Sequence, residues 1–329
     1  MPPVLSAKHL LGIASVTRQD VATIFSVAAG MSENPPAPLL AGRTIVNLFV
    51  EDSTRTRNSF YVAGVRLGAS MLNVAGGGSS LSKGESLIDT VRVLESMGCD
   101  GLVLRHPSAL SPHLIAGNCN VTVLNAGDGK RGHPTQALLD ALTLYEHWGC
   151  ELGAFEGKRI GIVGDIAHGR VALSNIRLLR LLGARVTLCG PPTLMPRGIE
   201  AMGIDIIESF DDLLAEVDAV MMLRMQHERQ AGSFVPNLVE YRRYWGLTSD
   251  RLRRIGRDTL PILHPGPVNR GVEIDPGVAD GPNSLILRQV RNGVKIRMAL
   301  LALLFARDRE TAESQQLVLE TEKSRKSDG

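Results

Sequence analysis

The sequence predicts an α/β protein of two similar domains, each a parallel β-sheet flanked by helices, with a ligand site in the cleft between them. Three observations carry this expectation. Short β-branched apolar runs alternate with segments of helical period. The alternation runs through the first half, breaks over Gly149–Gly157 and starts again. The residues just after the strand runs are cationic, polar or glycine-rich, and open α/β sheets bind ligands at that edge. The expected division is 1–147, 148–286, and a C-terminal helix from 287 that packs back on the first domain and ends in a polar tail by 329.

In the first half, Ser15–Asp20 reads as a helix start, and Val21, Ile24, Phe25 and Ala28 share a face of the helix that follows. Asn34–Pro38 is a break. Thr44–Val50 reads as a buried strand and Val62–Gly68 as a helix ending in glycine. Between them lies Glu51-Asp52-Ser53-Thr54-Arg55-Thr56-Arg57. Serine and threonine cap helix N-termini, where free N–H groups and the dipole favour an anion. Taken alone, the stretch fits a capped surface helix with solvated arginines equally well. Ser70–Val74 is a strand, and the glycine-serine run from Gly76 to Gly84 is a loop carrying Ser80 and Lys83. A helix over Ser86–Met97 and a strand over Gly101–Leu104 lead to Arg105. Val121–Asn125 is a strand and Gly127–Gly132 a loop. His133-Pro134-Thr135-Gln136 opens a helix reaching about His147, with Pro134 suited to its first position.

In the second half, Arg159–Val163, Arg185–Cys189, Ile204–Ile207, Ala219–Leu223 and Leu260–Leu263 read as strands. Val171–Leu182 and Asp211–Glu216 read as helical, and Leu287–Phe305 has helical spacing. Arg170 closes the loop after the first of these strands. Arg224 and Gln226 follow Ala219–Leu223, and the turn His264-Pro265-Gly266-Pro267 follows Leu260–Leu263. Gly161–Asp165 lacks G-x-G-x-x-G, and Cys189 stands where a ribose-binding acid is expected, which weighs against a dinucleotide site.

Composition narrows the chemistry. Aromatics at 4% and a net charge of +2 leave neither stacking platforms nor a basic field for nucleic acid. No run approaches the roughly 20 apolar residues of a membrane span, and no signal peptide is expected. The four cysteines are dispersed without a C-x-x-C pair, so reduced thiols in a cytoplasmic protein are expected, with neither a metal centre nor a disulfide framework. Without a Ser-His-Asp triad, a metal cluster or a P-loop, the chemistry rests on positioning and charge stabilisation. No cofactor is expected.

Ser53-Thr54-Arg55-Thr56-Arg57 followed by His133-Pro134-Thr135-Gln136 resembles the signatures of the aspartate/ornithine carbamoyltransferases, in the right order and over most of the chain. Arg224-Met225-Gln226-His227-Glu228-Arg229 and His264-Pro265-Gly266-Pro267 are similar to the aspartate branch. The ornithine branch has a His-Cys-Leu-Pro turn at the corresponding place. The resemblance implies that carbamoyl phosphate is held by Ser53, Thr54, Arg55, Thr56, Arg105, His133 and Gln136, with carbonyls near Pro265, Gly266 and Pro267. It implies that L-aspartate meets Lys83, Arg170, Arg224 and Gln226. It makes 1–147 the carbamoyl-phosphate domain and 148–286 the aspartate domain. Ser80, a further carbamoyl-phosphate ligand, and Lys83 match a loop that enters the site of a neighbouring subunit in a homotrimer. The loop reads Ser-Leu-Ser-Lys-Gly where some members carry two lysines, so Lys83 aligns to within about one position. Gly266 is leucine in some members.

The implied reaction is attack of the neutral aspartate amine on the carbamoyl carbon, the second step of de novo pyrimidine biosynthesis. Arg55, Thr56, Lys83, Arg105 and His133 are the expected catalytic residues, with neutral or charged His133 able to donate. A phosphate and two carboxylates bring roughly four negative charges into one cleft, which four arginines and a lysine offset. Three readings stay open beside this one: another amine acceptor such as ornithine, a non-catalytic binding homologue, and a dinucleotide-dependent dehydrogenase. Association with regulatory chains or a dihydroorotase is likewise left open.

Overall fold

The structure is a computed structural model, and it describes residues 5–35, 37–76, 84–225 and 237–305. Two parallel sheets organise them. The first joins β1 (Thr44–Phe49), β2 (Ser70–Ala75), β3 (Gly101–His106) and β4 (Thr122–Asp128) in the order β2-β1-β3-β4. The second joins β5 (Arg159–Val163), β6 (Arg185–Cys189), β7 (Asp205–Ile206), β8 (Ala219–Met222) and β9 (Ile262–Leu263) in the order β7-β6-β5-β8-β9. In both sheets the first strand is internal, and the chain goes first to one side of it and then to the other. The strand order therefore reverses beside β1 and beside β5, and a crevice opens beyond their C-terminal ends.

The helices are α1 (Arg18–Gly30), α2 (Thr54–Arg66), α3 (Leu87–Ser96), α4 (Ser111–Asn118), α5 (Pro134–His147), α6 (Arg170–Leu181), α7 (Phe210–Glu216), α8 (Leu238–Trp245), α9 (Ser249–Arg254), α10 (Pro276–Ala279) and α11 (286–305). The alternating runs of the sequence reappear in this order, with shifted ends. β4 runs on to Asp128 because Asp128 pairs with His106 of β3 beyond a register shift, which turns part of the expected loop into strand. α4, α8, α9 and α10 are not foreseen from the sequence. Each has eight residues or fewer, too short to display a helical period, and α4 starts with proline in its first turn.

α5 packs against β4 and α6, and its residues from Pro134 to Leu144 are all buried. Such a helix cannot be amphipathic, and the polar groups it carries must find partners inside. Asn175 of α6 donates to Asp140, and Asn292 of α11 donates to Thr143, so α5 is bonded to a neighbour on either side. α11 also reaches the first sheet region. Arg297 donates to Ser59 of α2, and the Phe305 ring lies against Gly101 of β3.

That last contact yields a stability prediction. A Cβ on Gly101 would fall 2.0 Å from Phe305 Cζ, although its backbone is one that any residue adopts. Gly101→Ala is expected to destabilise by about 1–3 kcal/mol through overpacking, where strand propensity alone would favour alanine. Urea unfolding should show a lower midpoint at unchanged slope.

Candidate active site

A cavity of about 690 Å³ opens at the C-terminal ends of both sheets. Its lining includes Ser53, Thr54, Arg55 and Thr56 after β1, Arg105 at the end of β3, and His133 and Gln136 at the start of α5. From the second half come Arg170, Arg224 and the turn Pro265-Gly266-Pro267. Twelve positions singled out in the sequence thus line one space. Ser80, Lys83 and Gln226 lie outside the described residues.

The helix N-termini at this cavity differ from those of five helices elsewhere in the fold. α1, α3, α7, α8 and α9 are each capped by a side chain, from Thr17, Ser86, Ser209, Asn237 and Thr248, and each has an acidic residue in its first turn. α2, α5 and α6 start at the cavity, at Ser53, His133 and Gly169. None of the three has a side-chain cap or a first-turn acid. Ser53 therefore occupies the cap position without capping, which departs from the capped-helix alternative and agrees with the open helix start the sequence also allowed. The first-turn N–H groups of α2 stay open to an anion.

The arginines are held close together. Glu51, at the end of β1, pairs with Arg170 at 2.6 Å and with Arg105 at 3.7 Å. Arg105 also donates to the Ala126 carbonyl at 3.3 Å. Both guanidinium groups pack on Gly127, whose φ is +124°. A Cβ there would come within 2.8 Å of Arg170 Nη1 and 3.3 Å of Arg105 Nη1, so only glycine allows the approach. Arg55 lies on the other side. Burial, then the charge of Arg224, lower its affinity for its proton, and a Cβ on Gly266 would sit 2.5 Å from its Nη1. Gly266 has φ +65°, a second position where backbone and packing both call for glycine.

His133 is buried among these charges. Burial, then Arg105, Arg297 and Arg170, push its pKa well below the usual value, so the ring is neutral. This narrows the sequence expectation, which allowed a charged ring: His133 offers one N–H and no charge. Its Nε2 lies 3.5 Å from Thr56 Oγ1, and its backbone N–H donates to Ser174 Oγ at 2.8 Å.

The turn after β9 is fixed from behind. His264 Nδ1 accepts from the Gly266 N–H at 2.8 Å, which leaves Nε2 to donate to Glu273 at 3.1 Å. The His264 N–H donates to Gln289 Oε1 at 2.9 Å.

Four residues near the cavity escape a reading of the sequence as site residues: Glu51, Asp140, Gln289 and Arg297. Glu51 carries a signal, since it follows a strand run directly. Arg297 sits inside a helical apolar stretch and carries none. It is almost fully buried, donates to Ser59 Oγ at 2.8 Å and stacks over Phe60, and burial lowers its pKa to about 10 against the pull of Asp140.

The chain matches two family descriptions: aspartate/ornithine carbamoyltransferase, carbamoyl-P binding domain, over residues 8–146, and the Asp/Orn binding domain of the same family over residues 156–304. It is 50% identical over 302 residues to the aspartate carbamoyltransferase catalytic subunit of Acidothermus cellulolyticus, covering 90% of this chain and 92% of that one. It is 48% identical to the catalytic subunit of Myxococcus xanthus, covering 89% and 98%. Among solved structures it resembles the Trypanosoma cruzi aspartate transcarbamoylase in complex with carbamoyl aspartate and phosphate, at TM-score 0.78 and 32% identity, covering 92% and 98%. The catalytic subunit of M. jannaschii aspartate transcarbamoylase aligns at TM-score 0.78 and 34% identity, covering 92% and 99%.

Neutrality of His133 has a measurable sign. Below pH 6.5 the unfolded chain protonates this imidazole while the folded protein keeps it neutral, so its contribution to stability is lost as pH falls. Relative to His133→Gln, wild type is therefore expected to lose stability as pH drops from about 7.5 to about 5. Urea titrations of both proteins across that range check it. A difference independent of pH would mean that the ring titrates in the folded protein as it does in the unfolded chain.

Proposed function

The chain belongs to the aspartate/ornithine carbamoyltransferase family, and from that premise we propose that it transfers the carbamoyl group of carbamoyl phosphate to the amino group of L-aspartate, giving N-carbamoyl-L-aspartate and phosphate. One observation supports this most directly: three uncapped helix N-termini and Arg55, Arg105, Arg170 and Arg224 converge on one cavity. Such a site is matched to ligands that together carry a phosphate and two carboxylates. Ornithine would bring an ammonium group toward Arg170 and Arg224, where it would be repelled.

In this reading the phosphate lies at the start of α2, held by Ser53, Thr54, Arg55 and Thr56, with Ser80 and Lys83 completing the shell. The carbamoyl oxygen faces Thr56, Arg105 and neutral His133. The carbamoyl NH2 donates to Gln136 and to the carbonyls of the Pro265-Gly266-Pro267 turn. The aspartate carboxylates meet Arg170, Arg224 and Gln226. The neutral amine attacks the carbamoyl carbon, the C–N bond forms, and charge develops on the carbonyl oxygen. The bond from the carbamoyl carbon to the phosphate oxygen then breaks. Arg55, Lys83 and the helix N-terminus receive the leaving phosphate, which takes the amine proton.

We infer a homotrimer with shared sites, in the cytoplasm, serving pyrimidine biosynthesis. The surface around α2 and the edge strand β2 supports the assembly. Tyr61, Val65 and Leu72 are exposed there by 42%, 50% and 45%, an apolar face on a strand edge that a neighbouring subunit would cover. Sedimentation is expected to give three times the monomer mass, and a monomer active at nanomolar concentration would exclude shared sites.

The deciding experiment incubates the protein with carbamoyl phosphate and either L-aspartate or ornithine, and measures the carbamoylated product. Product is expected with aspartate alone. Arg105→Ala is expected to lower turnover by about two to three orders of magnitude, the usual loss for an oxyanion donor. Near-normal turnover in that variant would remove Arg105 from the reaction.

A further inference from the structure

Behind the cavity, one buried carboxylate gathers three primary amides from three helices. Asp140 Oδ1 accepts from Gln136 Nε2 of its own helix α5 at 2.8 Å and from Gln289 Nε2 of α11 at 2.7 Å. Its Oδ2 accepts from Asn175 Nδ2 of α6 at 2.9 Å. Asp140 is fully buried and does not line the cavity, whereas Gln136 and Gln289 do. The charged group facing it is Arg297, also from α11.

An amide has two faces, and what it offers a ligand depends on which one its neighbour claims. An ionised carboxylate only accepts. It therefore claims the NH2 end of Gln136 and leaves Oε1, which has no other hydrogen-bond partner among the described residues, for the cavity. The reverse orientation would set two oxygens against each other. Burial raises Asp140 to about 6, with Gln289, Asn175 and Gln136 pulling it back down, so the carboxylate is ionised at neutral pH.

We propose that Asp140 is a positioning residue that sets acyl specificity: by holding the Gln136 amide in one orientation, it makes the cavity present an acceptor to the acyl group of the phosphate substrate. A carbamoyl NH2 satisfies that acceptor. The methyl group of acetyl phosphate has nearly the same size and cannot, so a buried acceptor is left unpaired. The proposal rests on the carbamoyl-phosphate reading above. It adds a cause for the choice between two acyl phosphates of similar shape, and places that cause on a side chain that touches neither.

The test measures the affinities of carbamoyl phosphate and acetyl phosphate for the full-length protein by calorimetry at neutral pH. Wild type is expected to prefer carbamoyl phosphate by about tenfold or more, the value of one well-placed hydrogen bond in a desolvated site. Asp140→Ala frees Gln136 and is expected to erase most of that preference, with acetyl phosphate affinity within about threefold of wild type. The double variant Asp140→Asn with Asn175→Asp moves the charge across the contact. The amide introduced at position 140 then turns its oxygen to Gln136 and Gln289 and its NH2 to the carboxylate introduced at position 175, so the preference is expected to return. An unchanged preference in Asp140→Ala, or equal loss of both ligands, would overturn the proposal. Should Asp140→Ala not fold, the double variant decides: a lost preference there overturns the proposal and a retained one supports it. If wild type itself shows no preference, the Gln136 subsite falls, and the role of Asp140 with it. Product formation with aspartate is scored separately and tests the reaction itself.

Discussion

Positive charge held in a partly desolvated cavity is the constraint on which the rest of this structure depends. Arg55 and Arg224 repel each other, and burial, then Arg105, Arg297 and Arg170, keep His133 from taking a proton. Three helix dipoles point their positive ends into the same space. Glu51 offsets part of this by pairing with Arg105 and Arg170. Such an arrangement costs stability, and contacts around the cavity hold the charges in place. Gly127 and Gly266 let guanidinium groups lie directly on the main chain, and the bonds of Asp140 hold α5 against α6 and α11.

The same charge suits the proposed reaction, which calls for no protein base. In the proposed reaction a neutral histidine and fixed arginines would stabilise an oxyanion without having to move protons themselves. The site is prearranged for charge that develops during the reaction, so little reorganisation is needed when the bonds change. The capped helices show the contrast. At the starts of α1, α3, α7, α8 and α9, a serine, threonine or asparagine closes the first turn. At the cavity, the turn is left open to a ligand.

Much of this is legible in the chain. The alternation of β-branched runs with helical segments depends on local period, and β1, β5 and α6 follow it closely. The residues placed at strand ends follow from that alternation, because parallel strands put their C-terminal ends on one edge. Helices as short as α9 and α10 stay hidden because six or four residues display no period. At Ser53 the choice between a capped helix and an open one stays hidden for another reason. Serine at a helix start suits either the helix or a ligand, and composition does not say which.

The sequence by itself determined the order of elements, the position of the arginines and hydroxyls on the rim, and the resemblance carried by their spacing. Those are properties of neighbours along the chain. Tertiary structure alone decided which groups meet. Asp140 and Gln289 are 149 positions apart, Glu51 and Arg170 119, and Ser59 and Arg297 238. The neutrality of His133, the orientation of Gln136 and the burial of Arg297 all depend on packing between elements far apart in the chain. Electrostatic energy depends on separation in space and on the loss of water, and neither is a function of position in the chain.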